Sequence, residues 1–132
     1  CKLFLHSQYL RFGFKLLSKE ASIFGKGWIP SNDDSLLVHI GKEIGDNKLG
    51  AALYVRETLA VSEPNAGIYE KGKAIQILLE INSLNQLTFR INGKLIFEKN
   101  IENTLRKRIC IMAWGDSHEY KLLVKNIQVS AK

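Results

Sequence analysis

The stretch LTFRINGKLIFE, Leu87 to Glu98, decides the fold. Asn92 and Gly93 sit between two runs in which apolar and polar residues alternate. Both central positions of a type I′ turn need positive φ, which Asn and Gly adopt most readily, so the stretch predicts a tight hairpin. Leu87, Phe89 and Ile91 fall on one face of the first strand, and Thr88, Arg90 and Asn92 on the other, because successive strand side chains point to opposite sides. One apolar and one polar face describe a strand pair laid on a core, as any antiparallel sandwich contains.

The same period of two recurs in both directions along the chain. It runs through Leu10/Phe12/Phe14/Leu16, Leu36/Val38/Ile40, Leu53/Val55, Ile75/Ile77/Leu79/Ile81, Ile109/Ile111/Ala113 and Tyr120/Leu122/Val124, followed by Ile127/Val129. Clusters of Gly, Pro, Asn, Asp and Ser separate these runs at Gly25 to Asn32, Gly45 to Lys48, Glu63 to Gly67, Asn82 to Asn85 and Gly115 to His118. Many short alternating strands predict an all-β, two-sheet antiparallel β-sandwich of the jelly-roll kind. Two segments depart from the pattern. Ser18 to Phe24 reads as a turn or short helical piece, and Asn100 to Arg108 as at most one short helix between strands.

With 132 residues the chain is expected to form a single domain over residues 1–132, whether alone or as a fragment of a longer protein. No apolar run approaches the roughly 18 residues of a membrane span. The two cysteines, Cys1 and Cys110, make neither a disulfide framework nor a metal-ligand pattern, and no Asn-x-Ser/Thr acceptor is present. These features, with no visible signal peptide, lean towards a reducing, cytoplasmic setting or a fragment, with secretion without a visible signal peptide as the alternative. The net charge of +6 is spread among acidic residues, its densest cluster being Arg106-Lys107-Arg108, so nucleic acid is not an expected partner.

A catalytic centre finds little support in the residue pattern. His6, His39 and His118 share no metal-ligand spacing, and His39 reads as a half-exposed histidine on the less apolar face of its strand. Asp33-Asp34 and the group from Glu43 to Asp46 lie in expected loops, where a glycosidase would need two carboxyls about 5–9 Å apart across a cleft. The GKG at Gly25 to Gly27 lacks the spacing of a phosphate loop. No enzyme, metal or cofactor is therefore expected. Trp28, Trp114, Tyr54 and Tyr69 are of interest because sugar sites set an aromatic ring against the apolar face of a pyranose.

Read together, SLLVHIGKE, YEKGKAIQILLEI, LTFRINGKLIFEKNI and LRKRICIMAWGD resemble, in order, segments of a galectin-type domain over roughly Ser35 to Val129. The resemblance implies a two-sheet sandwich with a glycan site on its concave sheet. Galectins hold a β-galactoside with His-x-Asn-x-Arg on one strand, Val-x-Asn on the next and Trp-Gly-x-Glu-x-Arg just after. Here LYVRET puts Tyr54, Arg56 and Thr58 at the first three positions, and the following LAVSEPNAGIYEKG is short and has no Trp-Gly-x-Glu. What the resemblance implies is thus a carbohydrate-binding module with an altered site around Tyr54, Arg56, Asn65, Tyr69 and Glu70. The same hairpin also resembles SPRY-type and wider concanavalin-like sandwiches, whose loops bind peptides. That likeness implies a protein-interaction sandwich as the alternative. The expected partners are a glycan or glycoprotein, or a protein, with a homodimer through edges formed by YLRFGF and LLVKNIQVS.

Overall fold

The computed structural model describes residues 2–5, 10–17, 35–42, 47–56, 58–70, 72–102, 108–115 and 122–125. Among them are ten strands and no helix: β1 (Lys2–Leu5), β2 (Leu10–Leu17), β3 (Ser35–Lys42), β4 (Lys48–Val55), β5 (Thr58–Ile68), β6 (Ile75–Ile81), β7 (Gln86–Ile91), β8 (Lys94–Asn100), β9 (Arg108–Gly115) and β10 (Leu122–Lys125). All pairings are antiparallel, in two five-stranded sheets ordered β10-β1-β6-β7-β8 and β5-β4-β3-β2-β9. The chain is an all-β, two-sheet sandwich.

The opening hairpin forms as its sequence dictates. Asn92 and Gly93 have φ of 50° and 81°, and Leu87, Phe89 and Ile91 are buried. Asn92 does more than turn the chain. Its Oδ1 accepts the backbone N–H of Gln76 at 2.9 Å, and its own N–H donates to the Gln76 carbonyl at 2.8 Å, so the tip closes on the start of β6. Phe89 and Phe97 meet across β7 and β8 with ring centroids 5.2 Å apart. These side chains meet Phe12, Leu16, Leu36, Val38, Ile40, Leu49, Ala51 and Leu53 of the other sheet in one core. Full burial of such aliphatic and aromatic side chains contributes about 1.5–3 kcal/mol each.

Several elements differ from the sequence reading, each for a physical reason. β1 adds a strand before the first anticipated run. The segment from Glu63 to Gly67, expected as a turn, lies inside β5, where a register shift between Leu49 and Ala51 absorbs the extra residues. Pro64 is tolerated there because β5 is an edge strand. β4 ends at Val55, and Arg56 turns away with φ of 54°, so Arg56 and Thr58 do not continue the strand of Tyr54.

Burial at β3 and β9 also differs from expectation. His39 is buried rather than half-exposed, with its ring against that of Tyr54, and Leu37 on the same face is buried as well. Ile109 and Ile111, expected in the core, are 52% and 40% exposed, because β9 has a strand partner on one side only among those described. YLRFGF does not supply an edge: β2 is paired along its whole length with β3 and with β9. The turn or helical piece from Ser18 to Phe24, residues 103–107 of the expected helix, the turn from Gly25 to Asn32 and Ile127/Val129 lie outside the described residues.

Candidate functional site

The register of β4 with β5 determines which of the candidate residues can act together. Tyr54 pairs with Leu59 and Val55 with Thr58 at one end, whereas Lys48 pairs with Ile68 at the other. Seven residues at about 3.3 Å each separate these ends by roughly 23 Å. The five residues therefore fall into two groups, with Tyr54 and Arg56 at one end and Asn65, Tyr69 and Glu70 towards the other.

The second group is largely occupied by the fold. Tyr69 is half-buried against the core, and its N–H donates to the carbonyl of Asn47. Glu70 pairs with Lys73 at 2.8 Å, one helical turn's spacing along the chain. Asn65 is exposed, with its backbone N–H held by the Glu63 carboxylate at 3.0 Å.

The first group is built differently. Tyr54 shares a face with Leu37 and lies nearly parallel to the His39 ring, with centroids 5.8 Å apart and planes at 17°. Arg56 reaches Glu102, which follows β8 in the other sheet. Its Nη2 donates to Oε2 at 2.9 Å and its Nη1 to Oε1 at 3.3 Å, a bidentate pair that ties the two sheets together at the β5/β8 rim. The Arg56 guanidinium holds the Glu102 carboxyl below its ordinary pKa, chiefly through these hydrogen bonds and then through its charge. The two side chains remain 39% and 60% exposed, so both charged groups stay in contact with solvent.

At the end of β8, Glu98, Lys99 and Asn100 line a shallow polar depression with Gln86 of the neighbouring strand β7, in which Gln86 Nε2 donates to Glu98 Oε1 at 2.6 Å. Asn82 fixes this end of the sheet: its Oδ1 accepts the N–H groups of Leu84 and Gln86, both at 3.0 Å, and its Nδ2 donates to Gln86 Oε1 at 3.1 Å. Guanidinium, carboxylates and amides in an open, water-exposed rim can hydrogen-bond a polyhydroxyl ligand.

Glu102 had no local signal in the sequence. It lies 46 residues from Arg56, inside NIENTLRKR, a segment that reads as helical. The depression was hidden for a related reason, since its residues belong to a hairpin whose pattern speaks only of scaffolding. Asp33, Asp34, Trp28, His6, His118, Cys1 and residues 43–46 lie outside the described residues, as does the side chain of Trp114. Among the described residues no group of three His, Cys, Asp or Glu side chains is placed to hold a metal ion, and no helix is long and apolar enough to cross a membrane. Comparison of the chain with protein-family models, curated proteins and solved structures returned no match.

Proposed function

We propose that the chain is a non-enzymatic carbohydrate-binding module that grips its ligand at the β5/β8 rim. The observation that carries this reading is the Arg56–Glu102 pair, a bidentate guanidinium–carboxylate contact that stays partly exposed at the rim. A guanidinium and a carboxylate joined by two hydrogen bonds on an exposed rim present polar groups to neighbouring hydroxyls. Tyr54, on the outer face of its sheet two residues earlier in the chain, presents an aromatic ring of the kind that packs on the apolar face of a sugar. A polar depression lined by Gln86, Glu98, Lys99 and Asn100 lies at the end of β8, two residues before Glu102 in the chain. Asn65, Tyr69 and Glu70 are too distant to touch the same monosaccharide.

The test is a glycan array with the purified domain beside Tyr54→Ala, Arg56→Ala and Tyr69→Ala. Binding should be lost in the first two variants and kept in the third. A blank array from folded protein, or loss confined to Tyr69→Ala, would overturn the rim site. Removing Arg56 deletes hydrogen bonds to a charged group, worth about 1.5–3 kcal/mol, so affinity should fall about tenfold or more.

A protein-interaction sandwich is the second reading. It is favoured by Leu59, which pairs with Tyr54 and is 49% exposed, so that apolar surface adjoins the ring. A partner retained after enzymatic deglycosylation would favour this reading over the first.

A further inference from the structure

We infer that β9 is a self-association edge, through which two copies of this chain pair antiparallel about a two-fold axis and join their β5-β4-β3-β2-β9 sheets. An edge strand presents unpaired N–H and C=O groups, and soluble proteins blunt such edges with bulges, prolines, charges or shortness. Among the described residues the two sheets have four edges, and three of them are blunted. β5 carries Pro64 and two register shifts. β8 carries a register shift together with Lys94, Glu98 and Lys99. β10 is four residues long and ends in Lys125.

β9 has none of these devices within its length. Its eight residues run in unbroken register with β2, with no proline, and its one charge, Arg108, stands at the first position. Ile109 and Ile111 share the inner face with Leu16 and Phe14, as their register shows, yet they are 52% and 40% exposed. Among the described residues no strand continues the sheet beyond β9, and Ile109 and Ile111 leave its inner face exposed at this edge, whereas the Arg56–Glu102 pair joins the two sheets at the opposite edge.

The strand is self-complementary, which selects a second copy as the occupant. An antiparallel pair related by a two-fold axis must set the axis at one residue, because facing side chains lie on the same side of the sheet. An axis at Ile111 pairs the strand from 108 to 114. It sets Ile111 against its own copy, Ile109 against the partner's Ala113, Cys110 against the partner's Met112, and Arg108 against the partner's Trp114. No like charges face each other, and the exposed isoleucines of both copies meet along the inner seam. One short ladder is at the small end of interface sizes, so association is expected at about 10–100 μM.

Sedimentation velocity over that concentration range tests the inference. The natural chain should pass from monomer to dimer. Ile111→Lys should remain monomeric, while Leu95→Lys, at an exposed position of the β8 edge, should dimerise as the natural chain does. Circular dichroism confirms that each variant is folded. The register has its own readout: Met112→Cys should give an oxidised, covalent dimer through Cys110 of the other copy, abolished by adding Cys110→Ser. A natural chain that stays monomeric, a dimer that survives Ile111→Lys, or equal loss in Leu95→Lys would overturn the proposal. So would absence of the Cys110-dependent cross-link.

Discussion

Replacing Gly13 with alanine should destabilise the sandwich, although the same change in an open strand position would stabilise it. A Cβ at Gly13 would lie 2.6 Å from the backbone oxygen of Val38, 3.0 Å from His39 Cβ and 3.3 Å from His39 Cα. Both obstacles belong to β3, the central strand, so the backbone rather than a flexible side chain must move. Overpacking of this kind costs about 1–3 kcal/mol, against a gain of roughly 0.5–1 kcal/mol from replacing glycine in a strand. The net loss is about 1–2 kcal/mol, and for a domain of this size it lowers Tm by roughly 3–8 °C. Gly50→Ala supplies the contrast, since its nearest neighbour would be the Glu63 carbonyl at 3.8 Å, an ordinary contact. It should be neutral or stabilising by up to about 1 kcal/mol. Urea unfolding with a shared m-value measures both, and near-UV circular dichroism reports whether the His39–Tyr54 stack is disturbed in Gly13→Ala. Equal stability of Gly13→Ala and the natural chain, or an equal fall in Gly50→Ala, would refute the packing argument.

Two further outcomes follow from the turn and from the rim. Asn92→Gly keeps the positive φ but loses the acceptor for the Gln76 N–H, costing about 1 kcal/mol, whereas Asn92→Ala also places an ordinary residue at φ of 50°, adding about 1–2 kcal/mol. Chemical denaturation should rank the natural chain above Asn92→Gly and Asn92→Gly above Asn92→Ala; a reversal of the two variants would remove the conformational part of the account. At the rim, the folded pKa of Glu102 is depressed, so the folded state binds the proton less readily than the unfolded one. The contribution of the Arg56 pair is present above the unfolded pKa and is lost as pH falls through the depressed folded value. An NMR titration should show the Glu102 carboxyl returning towards its ordinary range in Arg56→Ala, and an unchanged titration would show that the pair does not form in solution.

The fold was legible wherever local chemistry and burial agree. The Asn92-Gly93 turn requires positive φ, Leu87, Phe89 and Ile91 bury one side of β7, and Ile75 and Ile77 do the same for β6. Reading failed where a strand's place in its sheet decides its surroundings. Alternation puts His39 on the polar side of β3, and the pattern does not reveal that this side is covered as well, with Tyr54 of β4 against the His39 ring. The same pattern puts Ile109 and Ile111 inside, and only the edge position of β9 explains why they are exposed. Pro64 and Gly67 read as turn residues because periodicity does not reveal that an edge strand can absorb them in a register shift. Arg56 reads as a candidate from its sequence neighbours, but its partner Glu102 is set by the closing of one sheet over the other.

The two rims of the five-stranded sheet thus have separate tasks, and this makes the two proposals independently testable. β5 and β9 are its opposite edges, four strand spacings or about 19 Å apart. Pairing two copies through β9 would leave both Arg56–Glu102 pairs on the outer ends of the joined sheet, with no ligand surface used by the interface. A chain that binds glycans as a monomer would retain the rim site and lose only the β9 argument. A dimer that ignores every glycan would retain the edge argument and move the rim towards a protein ligand, with Leu59 and Tyr54 as the surface to probe.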